Sequence, residues 1–194
     1  IIHTEECHTA SLKERLVAAA TCETWGYPLA FHFDPMVIYD GCKADYIKVV
    51  DQLFSSVSPD RIAWISLGTF RFIPSLKPII QKRFPSSTIP YGEFIPGKDG
   101  KMRYFKPLRV DLYRTVISRI RRWAPDVLVY LCMEDNDMWT KTVGFDPSEA
   151  GGLPEILDHR AAKICGLKLS KGSGPRGRGF DPPRRRDVFS PNNH

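Results

Sequence analysis

The stretch Val127-Leu-Val-Tyr-Leu-Cys132 is the clearest β-strand signal in this chain. It is apolar throughout and lacks the polar alternation of a strand with one solvated face, which predicts a strand buried on both faces. A helical pattern precedes it at residues 107–123, and a short helix is predicted for Asp135–Thr142. A buried strand between two helices is typical of a parallel sheet covered by helices.

The alternation of helix and strand extends towards the amino terminus. Ser11-Leu-Lys-Glu14 is a capping-box sequence that opens a helix ending near Gly26. Further strands are predicted at Pro28–Phe33 and Ile62–Leu67, with a weaker one near Thr88–Phe94, and further helices at residues 43–57 and Pro74–Phe84. Four such units predict an α/β fold, the C-terminal portion of a partial (β/α) barrel of the TIM type, with an open doubly wound sheet as the alternative.

Length and composition are those of one soluble globular domain. The chain has 194 residues, of which 42% are hydrophobic and 26% are charged. No apolar run approaches the ~20 residues of a membrane span, so no membrane partner is predicted. The five cysteines are odd in number and form no close metal-binding pair, which favours a reducing, cytoplasmic location over a disulfide framework. The chain starts at Ile1 and not at a methionine, so we expect the natural protein to begin upstream.

The net charge of +6 is unevenly distributed. Residues 1–158 hold 19 basic and 20 acidic side chains, whereas residues 159–194 hold nine basic and two acidic ones. We therefore predict a folded domain over residues 1–158 and a basic, disordered tail over residues 159–194. Its run Pro182-Pro-Arg-Arg-Arg186 indicates either a solvated tail or an arm that contacts nucleic-acid phosphates.

Chemistry is expected at the carboxyl ends of the parallel strands, where α/β enzymes place their active sites. Asp34, Glu93 and Glu134 each follow or end a predicted strand, and Cys132 ends another. If they converge, the carboxylates can act as acid, base or metal ligands, and the thiol can donate hydrogen. The simpler interpretations are a local turn for Asp34, a solvated side chain for Glu93 and a buried strand residue for Cys132. No histidine spacing indicates a zinc site.

Residues 91–106 form the most informative loop. The centre Pro96-Gly-Lys-Asp-Gly100 predicts a tight turn. Its flanks interleave cations with rings, as a nucleic-acid surface requires: Lys98, Lys101, Arg103 and Lys106 with Phe94, Tyr104 and Phe105. An ordinary hairpin with solvated lysines is the alternative. Arg71, between two phenylalanines, places another cation beside the expected site.

Four ordered segments of this chain, over residues 9–158, resemble the C-terminal half of spore-photoproduct-lyase-like radical-SAM proteins. The segments are Gly26-Tyr-Pro-Leu-Ala-Phe-His-Phe-Asp-Pro35, Ile62-Ala-Trp-Ile-Ser-Leu-Gly-Thr-Phe-Arg-Phe72, Tyr91-Gly-Glu-Phe94 with Gly100-Lys-Met-Arg-Tyr-Phe-Lys106, and Val129-Tyr-Leu-Cys-Met-Glu134. Each segment alone is moderately specific, whereas the ordered set is strong.

The resemblance implies a partial barrel that holds a [4Fe–4S] cluster and S-adenosylmethionine. In the family, a 5′-deoxyadenosyl radical abstracts hydrogen from a thymine photodimer in DNA, which then reverts to two thymines. The resemblance places Phe33, Asp34 and Pro35 near S-adenosylmethionine, and Arg103 and Tyr104 in a hairpin that contacts DNA. A lesion has to leave the base stack to reach such a site, so a basic aromatic loop beside it is physically reasonable.

The chain departs from the family in two respects, since it lacks both the family's upstream hydrogen-donor cysteine and its cluster motif. No three cysteines have the spacing C-x-x-x-C-x-x-C, a motif that the family carries in its N-terminal half. We therefore expect this fragment alone to bind no cluster and to be inactive. Two other hypotheses are a different barrel enzyme that uses Asp34, Glu93 and Glu134, and a non-catalytic nucleic-acid-binding module.

Overall fold

The computed structural model describes residues 5–6 and 8–167. Six strands occur there: β1 (Leu29–Met36), β2 (Ile62–Thr69), β3 (Arg71–Phe72), β4 (Phe94–Pro96), β5 (Met102–Tyr104) and β6 (Leu128–Leu131). The α-helices are α1 (Leu12–Thr24), α2 (Cys42–Ser56), α3 (Leu76–Arg83), α4 (Lys106–Trp123), α5 (Asn136–Thr142) and α6 (Leu153–Ile164). Two short 3₁₀ segments lie at Pro59–Arg61 and Pro147–Ala150.

The main sheet is parallel, with strand order β1-β2-β6. The strand predicted at residues 127–132 forms its edge as β6, and the predicted strands at residues 28–33 and 62–67 form β1 and β2. Ile65, Leu67 and Val129 are fully buried because helices pack over them. The mixed α/β fold with a helix-covered parallel sheet is thus confirmed.

Helices α2 and α4 cover one face of the sheet and pack against each other. Their apolar stripes follow the predicted helical spacing, with Leu53 of α2 and Leu112, Val116 and Ile120 of α4 buried in the core. Apolar side chains at such spacing gather on one side of a helix, and their burial holds the helix on the sheet. Trp123, predicted as part of the stripe, remains 41% exposed.

The predicted fourth parallel strand near Thr88–Phe94 is wrong. Pro90 and Gly92 interrupt that segment, and the strand begins only at Phe94. It runs antiparallel to β5, in a separate small sheet of order β3-β5-β4. The turn at residues 97–100 joins β4 to β5, because the Pro-Gly-Lys-Asp-Gly sequence reverses the chain at once. The main sheet therefore has three strands in the part of the chain that the structure describes.

Helix α6 runs through residue 158, where the sequence analysis placed the end of the folded domain. Arg160 Nε donates to the carbonyl of Ala63 at 2.8 Å, and Arg160 Nη2 donates to that of Ile62 at 3.1 Å. Ala162 is buried. The basic side chains after residue 158 therefore include structural ones, and the folded part continues to at least the end of α6. The remainder of the predicted tail, residues 168–194, lies outside the described residues.

Helix α3 has no buried residue. Leu76, Ile79 and Phe84 are 38%, 49% and 49% exposed.

None of the helices in residues 5–6 and 8–167 is long and apolar enough to cross a membrane.

Replacing Arg160 by Ala tests the extension of the folded domain. The change removes two hydrogen bonds from a charged donor to β2, so we expect the free energy of unfolding in urea to fall by about 1–3 kcal/mol. Arg122→Ala is the matched control, because the Arg122 side chain is exposed and makes no hydrogen bond among the described residues; its effect should stay within about 0.5 kcal/mol. Equal losses of unfolding free energy in both variants would contradict a stabilising contact between Arg160 and β2.

Candidate active site at the carboxyl end of the parallel sheet

Asp34, Gly68 and Cys132 lie side by side across the three parallel strands. Phe33 pairs with Leu67, Leu67 pairs with Leu131, and the Cys132 amide donates to the Leu67 carbonyl at 2.8 Å. The next residue of each strand therefore falls in the same row, on the face opposite to the helix-covered one. Asp34 and Cys132 were predicted to meet at this edge, and the structure brings them together.

Gly68 makes room for the Asp34 carboxylate. A Cβ atom at position 68 would lie 2.7 Å from Asp34 Cγ and 2.7 Å from Oδ1. Any other residue would therefore push the Asp34 carboxylate out of the row, since atoms that are not bonded to each other do not approach so closely. The close approach explains why the central strand carries a glycine where its neighbours carry an acid and a thiol.

The guanidinium of Arg71 lies against this row. Its two terminal nitrogens lie 3.1 Å and 3.3 Å from the two Asp34 oxygens, and Nη1 also donates to the Thr69 carbonyl at 3.1 Å. The side chains of Arg71 and Asp34 are 14% and 20% exposed. Burial lowers the pKa of Arg71, but the hydrogen bonds and charge of Asp34 outweigh burial and raise it. The pair is a fixed ion pair with a solvent-facing edge.

Cys132 is held as a thiol. Burial raises its pKa, and the hydrogen bond to Asp34 and the negative charge of Asp34 raise it further, against the opposing effect of Arg71. Arg71 Nη2 lies 3.5 Å from Sγ, and Arg71 Nε lies 3.3 Å from the Met133 sulfur. A protonated thiol is a weak nucleophile and can donate hydrogen.

A second, separate network holds Glu134. Its side chain is 4% exposed, pairs with Arg109, and accepts a 2.9 Å hydrogen bond from the Tyr113 hydroxyl. The Thr69 amide donates to the same hydroxyl at 2.9 Å. Burial raises the pKa of Tyr113, and the charge of Glu134 raises it further. With its oxygens engaged by Arg109 and Tyr113, Glu134 is not available as the general acid, base or metal ligand that the sequence suggested.

Glu93 does not reach the sheet edge either. It precedes β4 in the small sheet, is exposed, and its carbonyl accepts a 3.0 Å hydrogen bond from the Phe105 amide. The expected convergence of three carboxylates is therefore wrong, because one of the strands that was to carry them belongs to another sheet. Among the described residues, no group of three or more His, Cys, Asp or Glu side chains is arranged to hold a metal ion.

Tyr104, predicted to contact nucleic acid, is a core residue of the small sheet. It is 2% exposed, and its ring stacks on Phe94 at 4.4 Å between centroids. Its hydroxyl accepts a 3.2 Å hydrogen bond from the Ile38 amide. Burial raises its pKa to about 12. A ring so enclosed is not free to stack on a base.

The four predicted cations of the hairpin are mostly neutralised. Arg103 pairs with Asp99 at 2.6 Å, and this hydrogen bond lowers the pKa of Asp99 to about 2. Lys101 lies 3.9 Å from Asp99, and Lys106 contacts Asp135 at 3.4 Å as well as Asp137. Lys98 is exposed and has no carboxylate partner within residues 5–6 and 8–167. The hairpin thus presents less free charge than its sequence suggests.

The three residues assigned to cofactor binding share one cleft. Phe33, Asp34 and Pro35 line a cleft of about 410 Å³ between β1, α1 and α2. Apolar rings and chains form most of its wall, and its charged lining residues are Glu6, Arg15, Asp34 and Asp45. Its volume falls in the range of small-molecule sites, about 300–1,000 Å³.

Arg109 and Tyr113 were not predicted from the sequence, and neither was the reason for a glycine at position 68. Arg109 lies three residues before Leu112 and seven before Val116, so it occupies the apolar stripe of α4. A cation in such a stripe signals a buried partner, because a buried charge is tolerated only when it is paired. That signal was available, whereas the need for Gly68 arises only from the neighbouring strand.

The model of the spore photoproduct lyase family matches residues 1–109. A solved spore photoproduct lyase complexed with dinucleoside spore photoproduct is 24% identical, with a TM-score of 0.59, over 68% of this chain and 41% of that chain. A mutant spore photoproduct lyase with bound AdoMet and dinucleoside spore photoproduct is 23% identical, with a TM-score of 0.58 and the same coverage. This chain thus spans about two fifths of the solved structures it resembles, and these likenesses establish the fold. No curated protein matches the chain.

Gly68→Ala tests the close approach of Asp34. The added methyl group should displace the carboxylate and break its pair with Arg71, lowering the free energy of unfolding by about 1–3 kcal/mol in urea. In an Asp34→Ala background the same change should cost little, because its nearest neighbours are gone. Equal costs in the two backgrounds would show that Gly68 matters for another reason.

The pH dependence of Cys132 alkylation tests its environment. Because the pKa of Cys132 is raised, iodoacetamide should modify it at a higher pH than an ordinary thiol, whose pKa is about 8.5. Asp34→Asn removes a charge that raises this pKa, so the rate near pH 8 should increase several-fold. Peptide mass spectrometry separates Cys132 from exposed Cys165, whose rate should not change. An unchanged Cys132 profile in Asp34→Asn would contradict the proposed contact.

Proposed function

Because the chain belongs to the spore photoproduct lyase family, we propose that it is the substrate-side part of a radical S-adenosylmethionine lyase. Its substrate would be a thymine photodimer in DNA, of the spore-photoproduct type. The family match over residues 1–109 is the observation that carries the proposal, because it includes Asp34, Gly68 and Arg71 together with the hairpin. The solved relative complexed with dinucleoside spore photoproduct supports the substrate class.

We also propose that the three parallel strands are part of a larger (β/α) barrel. β1 has β2 as its one partner in the described residues, so its other edge is open. Ala30 and His32 of β1 are exposed on the face opposite to the helices. An open edge and an uncovered face are what a barrel strand shows when its neighbours are missing.

The cleft beside β1 suits S-adenosylmethionine. Phe33 and its neighbours offer apolar and aromatic surface for an adenine ring. The Asp34 side chain is 20% exposed, unlike that of Glu134, and each of its carboxylate oxygens can accept a hydrogen bond from a hydroxyl or ammonium group in addition to the one from Arg71. When bound, the cofactor supplies the 5′-deoxyadenosyl group that becomes the radical in this family. The mutant spore photoproduct lyase with bound AdoMet supports S-adenosylmethionine as the cofactor.

The [4Fe–4S] cluster does not fit the residues of this chain. The described part has no metal-binding group of three or more side chains, and no cysteines in the sequence have the C-x-x-x-C-x-x-C spacing. We propose that the ligands belong to a segment encoded upstream of Ile1. This chain by itself would then bind substrate but carry out no radical chemistry.

The residues of this chain would bind and orient the DNA substrate and donate hydrogen to it. The Asp34–Arg71 pair fixes a guanidinium at the mouth of the site, where it can bind a phosphate or a base carbonyl. Cys132, held as a thiol, is the hydrogen donor available at the same edge. Lys98 and Lys101 on the hairpin can add phosphate contacts, as can Arg103 and Lys106 when a phosphate displaces their acidic partners.

Four free cysteines in the described residues agree with a reducing, cytoplasmic location.

Turnover of dinucleoside spore photoproduct tests the proposal. The longer protein, expressed with its in-frame upstream sequence and reconstituted anaerobically with iron, sulfide, S-adenosylmethionine and a reductant, should release the thymine product. The present chain alone should release none. Arg71→Gln and Asp34→Asn should each lower turnover by about tenfold or more, since both disturb the oriented guanidinium.

Lys163→Gln is the control, because Lys163 is exposed on α6 and forms no ion pair in the described residues; its turnover should match that of the unchanged protein. Turnover by the present chain alone would refute the need for a cluster-binding part. A longer protein that carries the cluster and binds the lesion without converting it would refute the proposed reaction.

A further inference from the structure

Residues 61–92 form a stretch without acidic side chains. They include five Lys or Arg residues and no Asp or Glu, whereas the rest of residues 1–158 holds 14 basic and 20 acidic side chains. Positive charge is therefore concentrated in one segment of a domain that is nearly neutral as a whole. Helix α3 lies at the centre of this segment.

Three of the five cations are free to meet a ligand. Arg61 donates to the Gly26 carbonyl and Arg71 pairs with Asp34. In contrast, Lys77, Lys82 and Arg83 form no salt bridge with any acid in residues 5–6 and 8–167. Unlike the charges of Lys101, Arg103 and Lys106, their charges are not compensated locally in that part of the chain.

Exposed aromatic rings accompany these cations. Lys77 Nζ lies 5.5 Å from the centre of the Tyr91 ring, which is 58% exposed. Gln81 donates to the Tyr91 hydroxyl at 2.9 Å, which fixes that ring beside the helix. The Arg83 guanidinium lies 5.6 Å from the ring of Phe84, which is 49% exposed. Unpaired cations with flat, accessible rings are the elements of a nucleic-acid surface.

This surface is continuous with the candidate active site. A cleft of about 430 Å³ is lined by Asp34 and Arg71 together with Ile73 and Leu76. Leu76 is the first residue of α3. A polymer that enters the site would therefore extend over this helix.

We propose that Lys77, Lys82, Arg83, Phe84 and Tyr91, here called the α3 surface, bind the phosphate backbone of duplex DNA beside the lesion. The choice of DNA as partner rests on the proposed function, and the position of the contact rests on the charges and rings of α3. An anionic membrane fits less well. Helix α3 has eight residues, of which four are Lys, Gln or Arg, and the two exposed apolar side chains Leu76 and Ile79 give it little area to insert into a bilayer.

The salt dependence of binding to an undamaged labelled duplex tests the α3 surface in the full chain. Each phosphate contact contributes about 0.9 to the slope of log K against log salt concentration. Lys82→Gln/Arg83→Gln should therefore reduce that slope by about 1.8. Arg122→Gln/Lys163→Gln removes the same charge from exposed, unpaired positions elsewhere in the described residues, and should leave the slope unchanged. The charge-conserving Lys82→Arg/Arg83→Lys should restore it.

Four outcomes separate the alternatives. A slope loss confined to Lys82→Gln/Arg83→Gln, with rescue by the charge-conserving variant, supports the α3 surface. Equal losses in both Gln variants would mean that only net charge matters and would overturn it. Loss of binding to phosphatidylserine vesicles with unchanged duplex binding would overturn it in favour of a membrane. Equal affinity for damaged and undamaged duplex, with the slope loss at α3 retained, would refute the lesion substrate but not the α3 surface.

Discussion

The buried pair of Arg109 and Glu134 is the interaction on which the geometry of the site depends. Arg109 reaches from α4 to the segment after β6, and its Nε donates to the Tyr104 carbonyl at the end of β5. Through Tyr113, Glu134 is also linked to the Thr69 amide at the end of β2. One network therefore fixes two parallel strands, the helix between them in sequence and the small sheet relative to one another.

The Arg109–Glu134 pair orients the elements that it joins more than it adds to the net free energy of folding. Removing two charges from water costs several kcal/mol each, which their attraction offsets only when the geometry is good and the remaining oxygens are hydrogen-bonded. Glu134 meets this condition, with Arg109 on one oxygen and the Tyr113 hydroxyl on the other. The hydrogen bonds are directional, whereas apolar contacts are not, so this network defines one orientation of the hairpin over the sheet edge.

At the carboxyl end of the parallel sheet, neighbouring residues have different structural and chemical roles. Gly68 allows Asp34 to lie across the central strand, Asp34 holds Arg71, and both groups surround the Cys132 thiol. Around this cluster, charge is arranged unevenly. The hairpin cations are largely paired with Asp99, Asp135 and Asp137, whereas those of α3 are not paired within the described residues. The hairpin is thus pre-ordered by its own ion pairs, and α3 retains free charge for a polyanion.

The sequence by itself determined the family, the parallel β-strands and the stripes that bury α2 and α4, because periodic apolar residues report which face of an element leaves water. It also predicted that Asp34 and Cys132 would meet, since parallel strands end at a common edge. Only the tertiary structure decided that Glu134 and Tyr104 are enclosed, that Glu93 belongs to another sheet, and that Arg109 completes a buried pair. Those outcomes depend on partners that are distant in sequence. The burial of a charged or aromatic side chain, and the group with which it pairs, are set by the residues that surround it in space and not by the residues next to it in the sequence.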